Sequence, residues 1–331
     1  TLDEVREALI QFAIYAGVPA ANTAYARAMA VLRELGHELT PLPATEAAHP
    51  GEGRSVFTTS RPKLHATVRQ PRSAAPRATL VLSHALGRDQ SMWDAVANRL
   101  AAQFRVICPD TRGHGRSEVP RGPLTMTDLA EDAARLLDEL AQRDLVDGPV
   151  VWVGISMGGM IGQELALRHP GKVRALVLAN TTAQYPEAGR IAMDERLQLV
   201  ERDGVEPVAD ATLGRFFTED FRARHPQTAA RVRRLLLACD AEGYVACGAA
   251  VRDVDTSGRL AQIHRPTLVI AGGAAPGTPP AMAQALAAGI QGAQLHTIAD
   301  GAHLSALSHP QAFAEATLPE IPRVSLAALL C

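Results

Sequence analysis

Gly154-Ile155-Ser156-Met157-Gly158-Gly159 combines residue types and a spacing that can make a nucleophile. It follows an apolar run, Val150-Val151-Trp152-Val153, with the character of a buried strand. It opens a segment of helical spacing, Met160-Ile161-Gly162-Gln163-Glu164-Leu165-Ala166-Leu167. A strand that turns into a helix within one short motif forces the serine into a strained backbone conformation. The flanking glycines are needed because a Cβ there would collide with the neighbouring strand or helix. Such a turn lifts the serine hydroxyl clear of the sheet and aims the Met157 amide at a helix N-terminus, where negative charge is stabilised. The implied chemistry is attack by Ser156 on a carbonyl carbon. A glycine-rich turn with an incidental serine would explain the glycines but not the strand and helix on either side.

Gly-x-Ser-x-Gly between strand and helix resembles the nucleophile elbow of α/β hydrolases. That resemblance asks for an oxyanion hole, a general base and an acid that orients the base. Ser83-His84-Ala85-Leu86-Gly87 follows the third strand-like run and resembles the oxyanion loop of these hydrolases, with Ala85 at a glycine position. The backbone N–H groups of Leu86 and Met157 would be the two oxyanion donors; a plain strand-to-helix turn is the competing reading. His303, in Gly301-Ala302-His303-Leu304-Ser305, lies after the last strand-like run and is the expected base. His114, in Thr111-Arg112-Gly113-His114-Gly115, is expected to shape the pocket wall, and His84 to be a structural hydrogen-bonder. The acid should come just after the seventh run, Thr267-Leu268-Val269-Ile270-Ala271. The next nine residues, Gly272-Gly273-Ala274-Ala275-Pro276-Gly277-Thr278-Pro279-Pro280, hold no carboxylate.

Several narrower motifs resemble 3-oxoadipate enol-lactonases across about residues 55–320. They are the elbow, Ser91-Met92-Trp93-Asp94, Asp110-Thr111-Arg112-Gly113-His114-Gly115, Leu178-Ala179-Asn180-Thr181, Asp240-Ala241-Glu242-Gly243-Tyr244, Ala250-Val251-Arg252-Asp253-Val254-Asp255 and Ala302-His303-Leu304-Ser305. The resemblance implies hydrolysis of a small anionic lactone, 3-oxoadipate enol-lactone, without metal or organic cofactor. In the family pattern Gly-x-x-Asp-Pro-x-Thr-Pro, Ala275 takes the place of the acid, so reduced activity is expected. Asp300 is an alternative acid near His303 in sequence. Arg196 matches a family arginine and is expected, with Trp93, to contact substrate; a salt bridge from Arg196 to Glu195 or Glu201 is the competing reading. A non-catalytic ligand-binding homologue, another carboxylesterase or a cofactor-free haloperoxidase-like protein are the alternatives on the same scaffold.

These residues need a scaffold to converge. Strand-like runs lie near 55–59, 63–69, 78–83, 104–108, 150–155, 173–179, 267–271 and 293–298. Helical patterns lie near 89–101, 126–142, 157–168, 280–288 and 309–318. The alternation predicts an α/β fold: a mostly parallel eight-stranded sheet with helices on both faces, over residues 55–322. Residues 184–262 are helical in pattern and interrupt the rhythm, which predicts a helical cap over the active site. Residues 1–36 read as two amphipathic helices split at Gly17-Val18-Pro19, and they resemble the end of a 4-carboxymuconolactone decarboxylase. Residues 37–54 read as a linker and 323–331 as a tail.

Composition narrows the partners. The chain of 331 residues is 47% hydrophobic and 21% charged, as expected of a globule with a substantial core. Its 33 basic and 35 acidic residues leave a net charge of −2 with no long single-sign run, which argues against nucleic-acid or anionic-membrane surfaces. No apolar run approaches the length of a membrane span. The four cysteines show no metal-ligand or Cys-x-x-Cys spacing and fit a reducing compartment. The start Thr1-Leu2-Asp3-Glu4 lacks signal-peptide character, so a cytoplasmic location is expected.

Overall fold

The computed structural model describes residues 53–71, 76 and 78–317. The two helices expected over 1–36, nearly all of the expected linker and the expected tail 323–331 lie outside the described residues. Eight strands run β1 (Arg54–Phe57), β2 (His65–Arg69), β3 (Thr79–Ser83), β4 (Arg105–Pro109), β5 (Val150–Ile155), β6 (Val173–Ala179), β7 (Thr267–Gly272) and β8 (Gln294–Ile298). They form one sheet in the order β1-β2-β4-β3-β5-β6-β7-β8. Only β2 runs against its neighbours; β3 to β8 are parallel. All eight fall where the apolar runs predict them.

Parallel strands must be covered on both faces, and the side chains alternate accordingly. In β5, Val150 and Trp152 enter one core cluster while Val151, Val153 and Ile155 enter the other. The helices α1 (Asp94–Leu100), α2 (Met126–Ala141) and α3 (Met157–Arg168) follow β3, β4 and β5. α2 and α3 pack on the Trp152 face and α1 on the other. A capping box at Thr125 and Asp128 starts α2, whose apolar stripe runs through Leu129, Ala133, Leu136 and Leu140.

Between β6 and β7 the chain leaves the sheet for α4 (Glu187–Asp203), α5 (Glu206–Phe216), α6 (Glu219–Arg224), α7 (Pro226–Leu237) and α8 (Ala241–Arg252). All five fall within 184–262, the segment whose pattern predicts a helical cap. This cap is tied to the body at several points. Gly243 of α8 meets Gly113 backbone to backbone, and a Cβ on Gly113 would come within 2.8 Å of the Gly243 Cα. Arg112 O takes the Cys247 thiol at 3.1 Å, and Thr256 N–H closes the neck on Ala183 O at 2.9 Å. The chain ends its described part with α9 (Pro280–Gly289), the turn-length α10 (Ser305–Ser308) and α11 (Pro310–Thr317). No helix among the described residues is long and apolar enough to cross a membrane.

Candidate active site

The chain runs outward from β3 in one direction and from β5 in the other, so the loops after these adjacent strands flank a switch point. Open parallel sheets bind ligands at such a point, beyond the carboxyl ends of the strands. Ser156 follows β5 there as the N-cap of α3, with φ 55° and ψ −119°. A side chain rarely tolerates that region, at a cost of about 1–3 kcal/mol that the surroundings must hold in place. They do so tightly. Ser156 N–H bonds Ala179 O at 2.9 Å, Thr181 Oγ1 donates to Ser156 O at 2.8 Å, and Trp152 Nε1 donates to Gly158 O at 2.9 Å. A Cβ on Gly154 would strike the Gly158 carbonyl, and one on Gly158 would strike Ser83 O.

The second donor loop is pinned to this elbow. Gly158 N–H bonds His84 O at 3.1 Å. His84 Nε2 accepts from Thr111 N–H at 2.9 Å, which leaves the proton on Nδ1 for Ala85 O at 2.9 Å. Burial lowers the pKa of this imidazole, consistent with a neutral ring. His114 Nε2 accepts from Gly87 N–H at 2.9 Å, and its pKa is pushed down to about 3, chiefly by burial. Both histidines thus brace the loop that carries Leu86, and neither lines the cavity that Ser156 faces. Among the described residues no protein acceptor takes the Leu86 or the Met157 N–H. Leu86 lines that cavity, and Met157 N–H is the first of α3.

His303 is brought in from β8 by a clamp at Asn180, a residue with φ 44° at the end of β6. The Asn180 amide donates to His303 O at 2.8 Å and to Ser305 Oγ at 2.6 Å, while its Oδ1 accepts Gly272 N–H at 2.6 Å. Phe216, at the end of α5, stacks on the imidazole at 6.0 Å and 8°, and its carbonyl takes Leu304 N–H at 3.1 Å. Sequence reasoning placed Asn180 in a motif without a role. Its signal was a polar residue directly after the apolar run 175–179.

Ser156, His303, Leu86, Arg196, Arg215 and Phe216 share one cavity of about 350 Å³ between sheet and cap. That volume is of small-molecule size, about 300–1,000 Å³. The Ser156 hydroxyl and the imidazole face this space without a hydrogen bond between them. Arg196, from α4, touches Met193 Sδ, and its buried Nε has no partner. It makes no ion pair with Glu195 or Glu201 among the described residues. Arg215, which the sequence reading did not single out, donates to Thr212 Oγ1 at 2.8 Å. Its pKa is lowered by burial and then by Arg196. Burial, Arg215 and Arg196, in that order, push His303 down to about 4.

Among the described residues no carboxylate meets the imidazole. Ala275 is a buried methyl side chain in the loop after β7, and Asp300 is exposed. His303 Nδ1 instead lies 3.0 Å from Thr278 Oγ1. Trp93 also departs from expectation. It is fully buried against Phe313 at 5.6 Å and does not line the cavity, so it packs the core and is not placed to contact a ligand. A hydrogen-bonded Ser–His–Asp row does exist elsewhere: Ser55 Oγ is 2.8 Å from His65 Nε2, and His65 Nδ1 is 2.7 Å from Asp110 Oδ2. Ser55 sits on the regular strand β1 outside the cavity, and its Oγ also accepts from Arg116 at 3.1 Å. That row braces the 110–117 turn, where Asp110 also accepts the Gln90 and Arg116 amides at 2.9 and 3.0 Å.

The sheet order and the strained serine turn are those of an α/β hydrolase, and the chain belongs to that family, whose profile, the Alpha/beta hydrolase family, matches residues 80–316. It is 36% identical over 239 residues, 72% of this chain and 86% of the relative, to 3-oxoadipate enol-lactonase 2 of Acinetobacter baylyi. The enol-lactonase structure from Burkholderia xenovorans superposes with a TM-score of 0.75 at 32% identity, over 81% of this chain and 100% of that one. A hydrolase structure from Pseudomonas aeruginosa superposes at 0.74 with 37% identity, over 81% and 98% of the two chains.

Proposed function

We propose that this protein hydrolyses a small anionic enol-lactone, 3-oxoadipate enol-lactone, to 3-oxoadipate. The observation that carries this reading is one cavity holding an elbow serine, a buried histidine and two guanidinium groups without carboxylate partners among the described residues. Guanidinium groups left unpaired in a half-buried site suit a substrate carboxylate. Ser156 Oγ attacks the lactone carbonyl and gives its proton to His303 Nε2. The Leu86 and Met157 amides hold the oxyanion, each such donor lowering the barrier by about 2.7–4 kcal/mol. Collapse breaks the ring ester bond, and the enolate oxygen leaves on the same substrate chain. An enolate is a good leaving group and needs little proton assistance. The imidazolium gives its proton to the released enolate; the neutral His303 then takes a proton from water as the hydroxide attacks the acyl-enzyme, and returns it to Ser156 Oγ as that ester bond breaks. The open cap cavity and the family relatives support the lactone; the absent carboxylate beside His303 favours a second reading, ligand binding without turnover.

Fluorophosphonate labelling and steady-state hydrolysis of the enol-lactone test the assignment. Labelling and turnover should both vanish in Ser156→Ala and persist in Ser55→Ala. Turnover surviving in Ser156→Ala would remove the nucleophile assignment, and an unlabelled, inactive wild-type protein would leave the binding reading.

A further inference from the structure

We propose that Thr278 positions the His303 imidazole, doing the orienting part of what a triad carboxylate does and none of its charge-balancing part. This deepens the hydrolase reading and rests on it for its catalytic meaning. The hydroxyl reaches Nδ1 at 3.0 Å, with both residues buried. Its placement comes from the chain around it. Gly273 N–H bonds Ile298 O at 2.9 Å and Ala274 N–H bonds Gly301 O at 3.0 Å, so the loop after β7 is stitched to the loop that carries His303. Pro279 and Pro280 come directly after Thr278, and a residue before proline is held in extended backbone. A β-branched side chain on a fixed backbone has few rotamers left. Phe216 covers the face of the ring, so the Thr278 bond and the stack together set its tilt and its rotation.

The hydroxyl differs from a carboxylate in kind. A carboxylate only accepts, so it forces the proton onto Nδ1 and leaves the Nε2 lone pair for the serine. A hydroxyl accepts or donates, so it holds the ring while permitting both tautomers. It also carries no charge to set against the imidazolium that forms during attack. Thr278 is therefore a geometric substitute for the acid, and the Ala275 methyl nearby explains why the electrostatic substitute is missing.

The test compares Thr278→Val, which keeps the shape, with Thr278→Ser, which keeps the hydroxyl, alone and in an Ala275→Asp background. Val should lower kcat about three- to tenfold with KM unchanged, the size of one neutral hydrogen bond. Ser should recover it. The same loss should shrink in the Ala275→Asp background, because Nδ1 then has a carboxylate as a better partner. Imidazole ¹⁵N NMR of His303 supplies a readout that needs no turnover: Val should shift the Nδ1 resonance and the tautomer ratio, and Ser should restore both. Unchanged spectra and an unchanged pH profile in a folded Thr278→Val protein would overturn the proposal. An inactive wild type whose His303 spectrum still responds to Val would instead fault the hydrolase reading and keep the positioning role.

Discussion

Burial opposes the protonated form of His303, and so do Arg215 and Arg196, which together hold its pKa at about 4. A base kept neutral well below its ordinary value of 6.5 is ready to accept a proton at any neutral pH, but it is a weak acceptor. The rate on a neutral ester, read as kcat/KM, should therefore fall only as pH drops through about 4, where the free enzyme's imidazole protonates. An anionic lactone neutralises the guanidinium groups as it binds, so the corresponding limb in kcat should lie at higher pH. Arg215→Gln should raise the kcat/KM limb and raise KM for the anionic lactone about tenfold or more, the size of a charge-assisted hydrogen bond, while sparing a neutral ester. A pH–rate profile checks the limb, and KM on the two substrates checks the contact; an equal rise in KM for the neutral ester and the anionic lactone would detach Arg215 from the carboxylate. The same pKa bears on folding. The unfolded chain binds a proton near 6.5 and the folded one only near 4, so stability is complete above that window and lost as pH falls through it.

The ends of β6, β7 and β8 act as one unit because Asn180, directly after β6, bonds to Gly272 of β7 and to the His303 loop after β8. Asn180→Ala should leave the buried Gly272 N–H and His303 carbonyl short of partners, costing about 1–3 kcal/mol, and should lower kcat more than it changes KM. Thermal melts and kinetics on the same preparation would show it; a stable, fully active variant would mean that water replaces the amide. This unit also marks how far sequence reading reached. Apolar runs bounded by glycine and proline located every strand, and the motif around Ser156 located its turn, because both are local patterns. That the loop after β7 holds no carboxylate was legible because such a residue is either present in a loop or not. Thr278 and Arg215 were hidden for the opposite reason. Which side chain of a loop reaches an imidazole, and which face of a cap helix looks inward, depend on backbone paths that short-range pattern does not encode. Trp93 shows the converse: membership in a family motif does not say whether a ring packs the core or touches a ligand.

At the scale of the molecule, the cap is a built-in roof. Gly243 against Gly113, Cys247 on Arg112 O, the neck at Ala183 and Thr256, and Phe216 O on Leu304 N–H all fasten it to the body. Gly243→Val would force the α8 backbone away from Gly113. It should lower the melting temperature by several degrees, as a loss of about 1–3 kcal/mol does for a domain this size, and weaken lactone binding through the tilted roof. A melt and a KM unchanged from wild type would show that the contact is dispensable. Among the described residues, the side-chain hydrogen bonds and ion pairs of the helix α4 run within itself and to α8 and Asp253, and none reaches the sheet. The helix also contributes Arg196 to the cavity. On the proposed reading, traffic into the site is expected past α4, where Arg196 is placed to meet an incoming carboxylate. Selection then happens at the doorway, as a difference in arrival rate between anionic and neutral esters, before the serine has any part in it.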